Sequence, residues 1–170
     1  MTAPSQDWKN PVTLSPIGVV RGGRPTGDDD YWGGFESTIE LDSERFGADA
    51  LAALDTYSHV LVLFHFHLLT PGSEETGGRH PRGRKDWPLV GIFAQRAKKR
   101  PNFVGATTCR VVSVDGTTLT VEGLDAMDGT PILDLKPHMQ EFEPRGEVIQ
   151  PEWSHNVMAD YFAPHTEGPQ

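Results

Sequence analysis

Cysteine is nearly absent, since Cys109 is the only one in 170 residues. No disulfide can form within the chain, so a packed core has to hold the fold, and the chain reads as intracellular and cytoplasmic. Long apolar runs are missing too. The longest, Val60 to Leu69, is interrupted by His65 and His67 and falls short of a membrane helix. Residues 1–12 are polar and hold no signal-peptide core. Aromatic residues make up only 9% of the chain and hydrophobic residues 36%, against 14 prolines and 18 glycines. That balance disfavours a helical bundle and favours one strand-rich, loop-rich domain. Dinucleotide fingerprints are lacking as well. The Gly-Gly pairs at 22–23, 33–34 and 77–78 do not sit between a strand and a helix.

Positive charge is also scarce, with 15 cations against 24 acids, yet it is concentrated. Residues 79–100 hold Arg79, Arg82, Arg84, Lys85, Arg96, Lys98, Lys99 and Arg100 and one acid, Asp86. The segment carries +7, which leaves −16 on the rest of a chain whose total is −9. A basic patch on an acidic body binds a polyanion locally and repels other contacts. The focus is residues 89–105. An apolar strand over Leu89 to Ala94 leads into Arg96, Lys98, Lys99 and Arg100, then a Pro101-Asn102 turn, and Gly105 reopens an extended run. This places cations where a phosphate, carboxylate or nucleic acid would be met. The competing reading is a hairpin with a solvated basic tip.

Residues 1–12 form a lead-in. Thr13 to Arg21, Phe35 to Leu41, Ser58 to Leu69, Val104 to Val114, Thr117 to Val121 and Ile132 to Leu135 read as strands. Asp115-Gly116 makes a tight hairpin between two of them. Ala48 to Leu54 is a short helix candidate. A helix near 151–163, with Pro151 in its first turn, has Trp153, Val157, Met158, Tyr161 and Phe162 on one face, a stripe for core packing or a subunit contact. Hairpin-linked strands with helices at the edges imply a mainly β fold, a compact antiparallel barrel. Two features point to ligands. Asp28, Asp29, Asp30, Tyr31 and Trp32 would bind a cation or an amine, or else form a solvated loop with its aromatics over the core. His65 and His67 point to one side of a strand. They would be metal ligands given a third from His59, His138 or Asp134, or else ligand-contacting or buried, hydrogen-bonded histidines.

Five segments together resemble the TsaA-like family, whose bacterial members are called TrmO. They are Pro16 to Arg21, Tyr57 to His67, Gly91 to Arg96 (Gly-Ile-Phe-Ala-Gln-Arg), Arg100-Pro-Asn102 with Gly105, and Gly123 to Pro137 (Gly-Leu-Asp-Ala-Met-Asp-Gly-Thr-Pro-Ile-Leu-Asp-Leu-Lys-Pro). The resemblance covers residues 13–138 and implies a barrel domain there, with 139–170 as a C-terminal extension. It implies S-adenosylmethionine as methyl donor, a homodimer, and N6-methylation of threonylcarbamoyladenosine beside a tRNA anticodon. By motif, the donor would be met by Tyr31, Trp32, His67, Leu68, Arg96, Asn102, Ala106, Glu122, Gly123, Leu124 and Asp125. Arg79, Arg82, Arg84, Lys98, Lys99 and Arg100 would suit tRNA phosphates. If a proton must leave the acceptor, the candidate bases are His65, His67 and Asp128.

The chain departs from the family pattern in two places. Phe103 stands where the family has proline in Arg-Pro-Asn-Pro-Ile-Gly, and the acidic stretch Asp28 to Asp30 replaces a basic Arg-Gln-Pro. Both changes favour an alternative acceptor, a small amine-bearing metabolite. A cupin-like metal barrel and a non-catalytic donor-binding module are lesser alternatives.

Overall fold

Alternation of apolar and polar residues gives each strand one face for a core and one for solvent. In the computed structural model, which describes residues 9–164, these strands close into an antiparallel barrel. The first eight residues of the expected lead-in lie outside the described residues. The barrel strands are β1 (Gly18–Arg21), β2 (Glu36–Leu41), β3 (His59–His65), β6 (Val104–Asp115), β7 (Thr118–Glu122) and β8 (Pro131–Pro137). Their order around the wall is β1-β2-β7-β6-β3-β8, and β1 pairs with β8 to close it. The core is filled by alternate residues: Val20, Ile39, Val60, Val62, Phe64, Cys109, Leu119, Val121 and Ile132, all essentially inaccessible to solvent. Burial pushes the Cys109 thiol far above its usual titration range, so it packs as a small hydrophobe.

Closure depends on local irregularities. Pairing shifts register in β6–β7 between Val111 and Ser113 and in β3–β8 between Leu63 and Phe64, so each pair carries a bulge that adds twist. Gly105 on β6 faces Phe64 on β3. A Cβ at Gly105 would lie 2.4 Å from the Phe64 ring, so only glycine lets the ring lie over the neighbouring strand.

Two expected elements are replaced. Residues 48–54 are turns ending in a single 3-10 turn, Leu54–Thr56, not a helix. Leu51 alone of residues 48–54 is fully buried, so no apolar face holds a helix there, and Ala53 adopts φ +65°. The run from Leu89 to Ala94 pairs only over Val90–Gly91 (β5), against Gly78–Arg79 (β4), and then forms a 3-10 turn at Ile92–Ala94. The Gln95 side-chain amide donates to Val90 O at 3.0 Å and Arg79 O at 3.3 Å, doing the work of a ladder. The C-terminal helix α1 is shorter than expected, Glu152–Met158, and none of its residues is fully buried. No helix among the described residues is long and apolar enough to cross a membrane.

Strand direction alternates around the barrel, so β1, β3 and β7 end, and β2, β6 and β8 begin, at one rim. Three connections meet there: residues 22–35, 66–103 and 123–130. The residues singled out for a donor, for a base or for phosphates sit in those connections or at the strand ends beside them, whereas His59 and His138 lie at the opposite rim and Asp134 within β8. The C-terminal segment returns to the same rim, where Tyr31 N donates to Asp160 O at 3.0 Å and Trp32 N to Tyr161 O at 2.8 Å. A Cβ at Gly33 would lie 1.9 Å from Phe162 O, so the two segments touch through backbone.

Candidate donor site at the barrel rim

Asp125 is the centre of one side of the rim. It lies on the connection after β7, fixed by the backbone bond from Gly123 N to Phe35 O at 3.0 Å and by the buried Leu124 beside it. Thr107, an inward residue of β6, donates its hydroxyl to Asp125 Oδ1. Tyr161 donates to Asp125 Oδ2 at 2.5 Å. Burial, and then the Asp125 charge, push the Tyr161 phenol far above its usual range, while the Arg96 charge acts the other way. The phenol therefore stays a donor. Arg96, on the exposed end of the 92–96 turn, donates to Ala106 O, the residue before Thr107. Arg96, Ala106, Thr107, Asp125 and Tyr161 thus form one patch carrying an anion and a cation.

His67 and Asp128 stand on the β1–β8 side of this rim. A Cβ at Gly129 would be 3.7 Å from His67 Nε2. Asp128 is exposed, and its Oδ1 accepts from Gly22 N at 3.0 Å. His65 takes a different neighbour, Phe103, with ring centroids 6.1 Å apart. The expected same-side pair of histidines is not formed by strand geometry, because β3 stops at His65 and His67 lies in a turn. Among the described residues no group of three or more His, Cys, Asp or Glu side chains is arranged to hold a metal.

Two of the three acids in the acidic loop, Asp28 and Asp30, are paired within the chain. Arg24, 5% exposed, donates to Asp30 O at 2.8 Å, to Tyr31 O at 3.1 Å and to Asp28 Oδ2 at 2.9 Å. Its guanidinium lies 4.5 Å from the centre of the Trp32 ring. Trp32 is 4% exposed and donates its indole N–H to Asp28 O at 3.1 Å. Trp32 is thus a covered packing residue, and Tyr31, 42% exposed with φ +66°, is the one of the two open to the surface. Arg82 takes Asp30 in a two-pronged pair, at 2.6 Å and 2.5 Å, and also donates to Val157 O at 2.7 Å. The Asp30 carboxylate holds the Arg82 guanidinium above even its usual range.

Other expected roles are narrowed by geometry. Glu122 pairs with Arg110 across the outer wall, opposite it in register, so its carboxylate is engaged away from Asp125. Leu124 is fully buried and offers only backbone. Arg82 is a junction residue with 26% of its side chain exposed. Arg84 pairs with Asp86 and lies 4.2 Å over the Trp87 ring, but remains largely exposed. Arg100 donates to Gln95 O at 3.4 Å. Lys99 O accepts from Glu75 N at 2.8 Å, which pins the backbone of the Lys98-Lys99 tip and leaves the Lys98 side chain in solvent. Leu68 is exposed at the rim, and Asn102 is exposed at φ +65°. Phe103 is buried at φ +48°, a conformation proline cannot adopt, so its ring serves the barrel mouth rather than rigidity.

Arg24, Thr107 and Tyr161 were not picked out from sequence. Arg24 and Asp28 are four apart, and Tyr161, like Trp153, is a residue of an apolar stripe with a polar tip. Those were the available signals.

Fold and site together define a small β-barrel that gathers its polar chemistry at one rim. The model of the tRNA-methyltransferase O N-terminal domain matches residues 28–144, and the chain belongs to that family. It is 33% identical over 117 residues to the human tRNA (adenine(37)-N6)-methyltransferase, which covers 69% of this chain and 26% of that protein. It is 33% identical over 137 residues to a probable S-adenosyl-L-methionine-binding protein of Methanothermobacter thermautotrophicus, covering 79% and 96%. A crystal structure of TrmO superposes with a TM-score of 0.66 at 27% identity, covering 83% of this chain and 64% of that one. TrmO from Pseudomonas aeruginosa superposes with a TM-score of 0.63 at 26% identity, covering 82% and 62%. The chain therefore spans about a quarter of the human relative and less than two thirds of either TrmO chain.

Proposed function

We propose that this chain is an S-adenosylmethionine-dependent tRNA methyltransferase that methylates N6 of threonylcarbamoyladenosine beside the anticodon. The observation that carries the reading is the Arg96–Asp125 patch at the rim of a barrel of this family. A zwitterionic amino-acid tail needs one cation and one anion held apart by fixed backbone, and this patch has both. Arg96 has five N–H donors and spends one on Ala106 O, so it can also take a carboxylate. Asp125 accepts from amino or ribose hydroxyl groups. His67, Leu68, Asn102 and the Gly123 backbone complete the wall. The bound donor supplies a methyl group on a sulfonium sulfur. The residues' work is to align it with the acceptor and exclude water. The candidate bases for an N6 proton remain His65, His67 and Asp128, with His67 beside Gly129 and Asp128 exposed at the rim.

The acceptor reading is supported by the pairing of Asp28 and Asp30 with Arg24 and Arg82. That pairing neutralises two of the three acids on which a small amine-bearing acceptor rested, and lessens the repulsion of a polyanion. Phosphates then fall to Arg79, Arg84, Lys98, Lys99 and Arg100. We assign the barrel domain to 13–138 and the extension to 139–170, and propose a cytoplasmic homodimer.

The test is methyl transfer to tRNA from cells lacking this activity, read by mass spectrometry of digested nucleosides. A methyl gain on threonylcarbamoyladenosine is expected. Donor binding with no modified nucleoside would overturn the acceptor. Reversing charge at Lys98 and Lys99 should weaken tRNA binding and lower its salt slope by about two, leaving donor affinity unchanged. An unchanged slope would make the tip a solvated surface. Arg96→Ala should weaken donor binding about tenfold or more in calorimetry, as expected for a lost charge-assisted pair.

A further inference from the structure

We propose that Tyr161 is a positioning residue for the Asp125 carboxylate, and that the segment 160–164 forms a wall of the donor site. The proposal rests on the donor-site reading above and goes beyond it, because the wall lies outside the 28–144 span that the family model matches.

The segment is built in at three points. Its backbone pairs with residues 31–33, through Tyr31 N to Asp160 O, Trp32 N to Tyr161 O and a bridge from Gly33 to Pro164. The 1.9 Å approach at Gly33 leaves no room for a side chain between the two. Arg82 holds Val157 O at 2.7 Å while gripping Asp30, so α1 is tied to both rim connections. Tyr161 then reaches Asp125 at 2.5 Å, with its ring edge-on to Phe162 at 4.9 Å.

A carboxylate has room for about four hydrogen bonds. Thr107 occupies one oxygen of Asp125 and Tyr161 the other. Two hydroxyls from different elements, β6 and the C-terminal segment, fix the plane of the carboxylate and leave two acceptor positions for a ligand. Without Tyr161 the group turns about its own bond, and the ligand has to order it on binding. The phenol cannot act as a base here, since burial and the Asp125 charge keep it protonated. Its contribution passes through Asp125.

The test uses the full chain with S-adenosylmethionine as the titrant. Tyr161→Phe keeps the ring and removes the hydroxyl. It should weaken donor binding roughly three- to tenfold, raise KM for the donor and leave kcat and KM for tRNA within about twofold. Thr107→Val, which removes the other hydroxyl at constant shape, should give a loss of the same kind. In an Asp125→Ala background, which leaves the Tyr161 hydroxyl no acceptor at residue 125, Tyr161→Phe should add no further loss. Full donor affinity in Tyr161→Phe, or losses that add in the double variant, would overturn the proposal. If the unaltered chain binds no donor, the donor-site reading itself is wrong and this inference falls with it.

Discussion

Arg24→Ala should lower the stability of the chain by about 2–4 kcal/mol, one of the largest single-residue effects expected here. The side chain is buried and makes three separate attachments: a salt bridge to Asp28 and bonds to the carbonyls of Asp30 and Tyr31. Removing it strands two carbonyls and leaves Asp28 without its partner. It also uncovers the Trp32 ring face. Because Asp28 is 63% exposed, water recovers part of the loss, which keeps the figure below that of a fully buried pair. For a chain of this length the melting temperature should fall by roughly 5–15 °C. A second consequence separates Arg24 from an ordinary packing residue. The loop it holds also carries Asp30, the anchor of Arg82, so the C-terminal segment should loosen and amide exchange should rise at Tyr31, Trp32 and Tyr161. Thermal melting together with hydrogen exchange checks both. A melting temperature within a degree or two of the parent would mean that the loop is held by backbone alone.

The barrel was legible because its signal is local and repeats at period two. In β3 the residues Val60, Val62 and Phe64 turn inward, and the intervening Leu61 and Leu63 are half-buried on the outer face, as expected for a barrel wall. The Asp115-Gly116 turn and the strands beside it followed from turn chemistry. The misread segments are those where something other than periodicity decides. Leu89 to Ala94 is apolar enough for a strand, but Gln95 supplies side-chain hydrogen bonds that end pairing after two residues, and Leu89 and Phe93 are left exposed. The acidic loop looked like a site for an external cation because its partners, Arg24 and Arg82, are four and 52 residues from the aspartates they bind. Composition shows charge but not distance. Likewise, Arg82 counted toward the basic patch until its guanidinium was seen to be occupied. Of the residues expected to meet a donor, Arg96, Ala106 and Asp125 lie in one patch, whereas Glu122 turns outward to Arg110. Glu122 is the last residue of β7 and faces the outer wall, whereas Gly123 to Asp125 belong to the connection after it, so a stretch named whole, 122–125, spans a strand end and a loop and does not present one face.

Gly105→Val should cost roughly 3 kcal/mol and disturb the rim at the same time. The new Cβ would sit 2.4 Å from two carbons of the Phe64 ring, which is 1% exposed and edge-on to Phe66 at 5.2 Å. The ring has no free volume to move into, so β3 and β6 must separate at their Phe64–Gly105 pair. That pair is one residue from Ala106, whose carbonyl fixes Arg96, and two from Thr107, which holds Asp125. Overpacking here is therefore felt at both charges of the donor patch. Donor binding should fall by at least the factor expected for Arg96→Ala, about tenfold. The control is Gly116→Val, in the hairpin turn at the opposite end of the barrel, where no atom lies within 4 Å of an added Cβ. Gly116 has φ +57°, so valine there is strained and should lower stability without touching the rim. Melting and calorimetry on the two variants separate the cases. If both lose stability and only Gly105→Val loses donor affinity, the β3–β6 contact is what presents the patch. Equal donor affinity in the two folded variants would mean that the rim is held independently of the glycine beneath it.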